Sequence, residues 1–236
     1  MKIKLFTIPN ILTLANLLCG ALAVVEIVAR QNFELAIWLV LAAAAFDFLD
    51  GFSARLLGQY SSIGVELDSL ADMVSFGLAP SLALFYLYGG SQMAFVDGEL
   101  AQYLQYITLI FLLFAALRLA KFNVDPTQHE EFSGLPTPAA ALFVLSLGYL
   151  NDAHLLELSG EMIALTSVVL ALLMVGSMPM LALKFKGFSL GDNLLRYLFV
   201  LISAIVAIFL GFAAVPFVFL FYLFISLVLL VVRFRA

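Results

Sequence analysis

The chain has 236 residues, 64% of them hydrophobic and 11% charged, with a formal net charge of −5 and a mean hydropathy of +1.13. Soluble domains are about half apolar and roughly a quarter charged, so this chain lacks the charge to clothe a water-facing surface. Soluble, disordered, collagen-like and coiled-coil classes are excluded, and the expected fold class is all-α: a polytopic integral membrane helix bundle.

In chain order, eight apolar segments read as spans: Ile11–Val28, Phe33–Leu57, Val65–Tyr88, Tyr103–Phe122, Pro136–Leu150, Met162–Leu181, Leu194–Ala213 and Val215–Val232. Each approaches the ~20 apolar residues that a spanning helix needs. The fifth is the shortest and starts on Pro136 and Pro138, which suit a first helical turn because no N–H is needed there. Met1–Asn10 carries Lys2 and Lys4 like the start of a signal peptide, but no small-residue cleavage site follows, so it is read as part of the mature protein. No internal repeat or low-complexity tract is present. A single cysteine, Cys19, rules out an internal disulfide and reads as a packing residue. The chain is expected to form one membrane domain over 1–236, with residues 10–123 as its catalytic core and 136–236 as the remaining spans.

Lys and Arg set the orientation, because cytoplasmic loops collect them. With eight spans, Lys2, Lys4, Arg55, Arg118, Lys121, Lys184, Lys186, Arg196, Arg233 and Arg235 fall on one side and only Arg30 on the other, ten of eleven cations. Both termini are therefore expected in the cytoplasm, with loops Gly89–Gln102 and Asn151–Glu161 outside. The cations of the later spans read as orientation signals and as anchors for anionic headgroups.

Acids within the spans carry the chemistry. An ionised carboxylate in hydrocarbon costs at least ~2.5 kcal/mol and marks a functional site by default. The second span ends with Asp47 and Asp50, at i,i+3; the third begins with Asp68 and Asp72, at i,i+4. Each pair lies on one helical face, and a short connection makes the two helices antiparallel neighbours. Four carboxylates then converge near the cytoplasmic end of the bundle. They require positive charge among them, and Arg55 alone is too little. Oxygen-only ligands favour hard cations, Mg²⁺ or Mn²⁺. Two such ions would balance the four acids, and two-metal sites serve phosphoryl-type displacements. Glu66 either joins this shell or faces the loop.

The run Asp47-x2-Asp50-Gly51-x2-Ala54-Arg55-x8-Gly64-x3-Asp68-x3-Asp72 resembles, without a gap, the signature of the CDP-alcohol phosphotransferase family. The resemblance implies transfer of a phosphatidyl group from a CDP-linked lipid, CDP-diacylglycerol, to an alcohol, with release of CMP. It implies that Asp47, Asp50, Asp68 and Asp72 ligate two divalent cations and that Asp72 is also the general base. It implies contacts to the cytidine diphosphate from Gly51, Arg55 and Ser61, and a nucleotide-binding patch at Asn10 and Thr13. It also implies a homodimer in the cell (inner) membrane with the site facing the cytoplasm, and no nucleic-acid partner.

For the acceptor, Ile8–Gly20, Leu117–Asn123, Phe132–Ala139 and Ser75–Pro80 are similar to the phosphatidylserine synthase branch of that family, with Lys121 where the branch often has Arg. The expected acceptor is L-serine, whose carboxylate has Arg118, Lys121 and Asn123 as available donors. Arg118 and Lys121 read alternatively as plain orientation charges. A synthase using glycerol 3-phosphate or inositol phosphate is the alternative within the family, although such acceptors would want a denser cationic pocket. A cation-coupled transporter is the alternative outside it, but its acids would sit near the midplane in paired halves. His129 and His154 fall in loops on opposite sides and form no dyad.

Overall fold

The computed structural model describes residues 5–96, 98–125, 133–181 and 190–235, and every regular element among them is helical. Lys2, Lys4, His129, Phe132, Lys184 and Lys186 lie outside the described residues, as do the side chains of Arg233 and Arg235.

Capping chemistry sets the helix ends. Helix α1 (Ile8–Val25) starts where the Thr7 side chain accepts from the Asn10 N–H, with Pro9 in the first turn. It widens into a π-turn over Glu26–Arg30. Helix α2 (Phe33–Leu57) is capped by the Asn32 side chain and stopped by Gly58 in the left-handed conformation at φ 60°. Ser61 restarts the chain by accepting from the Gly64 N–H at 3.1 Å. Helix α3 (Ser62–Asp72) then runs through a π-turn at Met73–Leu78 into α4 (Ala79–Gly90). Helix α5 (Glu99–Leu104) continues through a 3₁₀ turn into α6 (Ile110–Val124). Helices α7 (Thr137–Asp152), α8 (Gly160–Val175), α9 (Leu190–Leu210) and α10 (Val215–Arg235) complete the chain.

Five runs are long and apolar enough to cross a membrane: Ile8–Arg30, Phe33–Leu57, Ser62–Gly90, Glu99–Val124 and Asn193–Val231. The last is a single run by composition, but Gly211–Ala214 interrupts it as a 3₁₀ turn between α9 and α10. Helices α7 and α8 have 16 residues each, about 24 Å of rise against a hydrocarbon core of ~30 Å. By length and composition the all-helical class stands, and the expected count of eight spans is not reached. The sixth segment also ends earlier than expected, at Val175 instead of Leu181. Gly176 leaves the helix in an extended conformation, and Pro179 restricts the residue before it and offers no N–H.

Small residues allow close helix contacts: Ala23, Ala36, Ala43, Ala79, Ala83, Ala115, Ala140 and Ala171 are all fully buried, beside larger core side chains such as Phe76, Phe111 and Ile37. With no solvent-driven force between helices in lipid, close backbone approach through small residues is what favours association. Other large apolar side chains point outward, Ile208 and Phe209 being 81% exposed, as a hydrocarbon solvent allows. Helix α1 packs along α2 and against α3, whereas α2 and α3 stand further apart. A cleft is thereby left between the two acid-bearing helices, with α1 as its back wall.

Candidate active site

The tight turn at Gly58–Ser61 sets the acids at matched depths. Asp50 is seven residues before the end of α2 and Asp68 six residues after the start of α3, about 10 Å from the turn at 1.5 Å per residue. Asp47 and Asp72 lie about 15 Å in by the same count. The carboxylates of Asp47, Asp50 and Asp68 come together, with one oxygen from each within 4.8 Å of the others. Asp72, one turn beyond Asp68 on α3, is not one of that trio. Asp68 Oδ1 is buried and has no hydrogen-bond partner. An orphaned carboxylate oxygen amid two further carboxylates is the donor set of a hard cation, so the residues fit the expected metal. Asp47, Asp50 and Asp68 would hold it.

Helix α1 contributes a polar stripe at Asn10, Thr13 and Asn16, all buried and spaced three apart on one face. Thr13 Oγ1 donates to Asp50 Oδ2 at 2.6 Å, the short length of a charge-assisted bond. Asn16 Nδ2 donates to Asp72 Oδ1 at 3.0 Å. Asn10 Nδ2 donates to the Leu5 carbonyl at 2.8 Å. Thr13, expected at the nucleotide, thus donates its hydroxyl proton to an acid and keeps its acceptor lone pairs.

On the rim, Gly51 and Arg55 are exposed, and a Cβ built on Gly51 would meet nothing within 4 Å. A bulky ligand has room beside that backbone. The Ser61 hydroxyl caps α3, so its lone pairs are only partly available to a ligand.

Helix α6 closes the side next to α3. Asn123 Nδ2 donates to Ser69 Oγ at 2.7 Å. Arg118 is half-buried, donates through Nη1 to Thr137 Oγ1 at 3.1 Å, and sits 5.8 Å over the Phe122 ring. The charged and ionisable groups facing it are Asp72, Tyr222 and Asp47. Lys121 is exposed, with no ion pair to the acids among the described residues. Spacing along α6 put Arg118 and Lys121 on one face; the bundle buries only the first.

Thr137 reaches Arg118 because the segment before α7 is fastened to the end of α8. Gly134 N donates to the Met178 carbonyl and Leu135 N to the Leu173 carbonyl, each at 2.9 Å. Gly134 has φ 81°, and a Cβ there would overlap the Met174 carbonyl, so no other residue fits without displacing α8. Sequence reasoning missed Asn16, Ser75 as a site residue, Thr137 and Tyr222. For Asn16 a signal existed: it continues the three-residue spacing of Asn10 and Thr13.

A family model described as CDP-alcohol phosphatidyltransferase matches residues 6–182. The chain is 36% identical over 169 residues to the CDP-diacylglycerol--serine O-phosphatidyltransferase of Helicobacter pylori, covering 70% of this chain and 68% of that protein. It is 34% identical over 151 residues to the protein of the same description from Bacillus subtilis, covering 64% of this chain and 80% of that one. The corresponding protein of Methanocaldococcus jannaschii is 33% identical over 172 residues, covering 73% and 72% of the two chains.

Proposed function

The chain belongs to the CDP-alcohol phosphatidyltransferase family, and we propose on that footing that it transfers the phosphatidyl group of CDP-diacylglycerol to the hydroxyl of L-serine, giving phosphatidylserine and CMP. The observation that carries the reading is the convergence of Asp47, Asp50 and Asp68 between α2 and α3, with Asp72 one turn beyond Asp68, in a relative of proteins named as serine O-phosphatidyltransferases.

In this reading the acceptor oxygen attacks the lipid-side phosphorus. The bond from that phosphorus to the bridging oxygen breaks, CMP leaves with that oxygen, and the hydroxyl proton passes to the Asp72 carboxylate. A high-pKa alcohol needs such a base to become a nucleophile. Two divalent cations, Mg²⁺ or Mn²⁺, when bound by the acids, would supply charge neutralisation for the diphosphate. Arg55 pairs with phosphate oxygens from the rim, Gly51 leaves room for the nucleotide, and Ser61 lies at the same edge. Arg118 holds the serine carboxylate, with Asn123 and Lys121 nearby on α6. Asn10 and Thr13 line the back of the nucleotide site, Thr13 by orienting Asp50.

We further propose eight spans, both termini and the acid cluster on the cytoplasmic side of the inner membrane, and a homodimer. In support of that orientation, Arg55, Arg118 and Lys121 share the cluster's end of the bundle, whereas Arg30 is at the other. The test is an acceptor panel of serine, glycerol 3-phosphate and inositol phosphate with labelled CDP-diacylglycerol and purified protein. Serine-dependent CMP release with a labelled lipid product is expected; release dependent on either phosphorylated acceptor instead refutes the assignment.

A further inference from the structure

We propose that Asn16, oriented by Ser75, is a positioning residue for Asp72: it binds one carboxylate oxygen and thereby fixes the other toward the acceptor hydroxyl. The proposal rests on the reading of Asp72 as the base.

Three contacts converge on Asn16, which is fully buried. Its Nδ2 donates to Asp72 Oδ1 at 3.0 Å. Its Oδ1 accepts from the Ser75 hydroxyl at 2.7 Å, and the same hydroxyl is 3.1 Å from the Asn16 backbone carbonyl. An ionised carboxylate only accepts and an amide oxygen only accepts. The amide can therefore satisfy both neighbours in one orientation: NH₂ toward Asp72, oxygen toward Ser75. Turning it over would set two acceptors, the amide oxygen and Asp72 Oδ1, against each other.

The contact is built into the backbone. Ser75 is fully buried on the π-turn that begins directly after Asp72, a helical irregularity that concentrates at functional sites. Gly20 stands one turn beyond Asn16 on the same face of α1. A Cβ there would overlap the Ser75 hydroxyl and lie 2.7 Å from Ser75 Cα. Only a glycine lets α1 come this close to the π-turn, and that approach brings Asn16 into reach of both partners.

Asp72 needs such a tether. The charges acting on it include Asp47, Asp68 and Asp50, which repel its carboxylate, and Arg118, which attracts it, and the terminal torsion of an aspartate is soft. A general base works only within ~2.6–3.2 Å of the proton it takes. Among the described residues no hydrogen bond engages Asp72 Oδ2, the oxygen left for that task. Losing the tether leaves the base present but unaimed, and a displacement of ~1 Å can cost ~10²-fold in rate.

The experiment uses the full chain in phospholipid nanodiscs, with Asn16→Leu, Ser75→Ala, the double variant, Gly20→Ala and Asp72→Asn as reference. It reads acceptor-dependent CMP release and, separately, the affinity for Mn²⁺ alone by electron paramagnetic resonance. Asn16→Leu is expected to lower kcat by about 10- to 100-fold, with KM for both substrates and Mn²⁺ affinity little changed. Ser75→Ala should lower kcat in the same direction but less, and Gly20→Ala, which forces α1 off the π-turn, at least as much as Asn16→Leu. The double variant should be no worse than Asn16→Leu, because Ser75 acts through Asn16. A normal kcat in Asn16→Leu overturns the proposal, as does a loss of Mn²⁺ affinity matching the loss of turnover, or full additivity in the double variant. Should Asn16→Leu fail to fold, Ser75→Ala decides: unchanged kcat in it overturns the proposal. Full turnover in Asp72→Asn overturns the base assignment and this inference together. An inactive Asp72→Asn beside an active Asn16→Leu overturns this inference alone.

Discussion

Replacing Arg118 by alanine separates acceptor recognition from the rest of the chemistry. The guanidinium has five N–H donors, and the hydrogen bond described for it, to Thr137 Oγ1 at 3.1 Å, uses one. The remaining fork sits beside Asp72 and Asp47, at the inner edge of the cleft, where an incoming amino acid would present its carboxylate. A hydrogen bond to a charged group is worth ~1.5–3 kcal/mol. Removing it should therefore lower serine kcat/KM by about 10- to 150-fold, at roughly 1.4 kcal/mol per decade. Arg118→Lys keeps the positive charge among the acids but loses the planar fork, so it should recover only part of that loss. The assay is CMP release from CDP-diacylglycerol with and without serine, in wild type and both variants. Slow release to water serves as the internal control, because water has no carboxylate to lose. Serine-dependent turnover should fall far more than water-dependent turnover. Equal loss of both would mean that Arg118 supports the fold or the nucleotide, and unchanged serine kcat/KM would reduce it to an orientation signal.

Asp72→Asn should cost about 10²- to 10⁴-fold in turnover, the usual worth of a placed general base, while binding of CDP-diacylglycerol, measured by calorimetry, stays close to that of wild type. Asp68→Asn removes the orphaned oxygen of the trio, and an amide is a poorer ligand for a hard cation; Mn²⁺ binding should weaken sharply, and chelation of the wild type should abolish CMP release until Mg²⁺ or Mn²⁺ is restored. Cysteine-labelling reporters placed in Gly89–Gln102 and Asn151–Glu161 should react from outside the cell, and a cytoplasmic signal from either loop would break the orientation drawn from the cations.

The helical class and the acid cluster were legible in the sequence because both are written locally. Composition alone excludes a water-facing surface. Helix α2 runs from Phe33 to Leu57 as expected, since Asn32 and Gly58 mark its ends by their own chemistry. The pairing of Asp47 with Asp50 and of Asp68 with Asp72 follows from helical period, and one short turn brings Asp47, Asp50 and Asp68 together, three of the four acids. The end of α8 is equally local, at Gly176 and Pro179, but hydrophobicity continues past it and masks the stop. What the sequence could not decide is which face of each helix meets which neighbour. Arg118 and Lys121 are three apart, yet one is half-buried beside the acids and the other exposed. Asn16 and Asp72 are 56 residues apart, and Asn16 and Ser75 are 59. No periodicity joins them. They meet because Gly20 lacks a Cβ where Ser75 needs the space. Helical period fixes which residues share a face within one helix; the rotation of one helix against another is set by the steric fit of a few small residues, and that exists only once the bundle has packed.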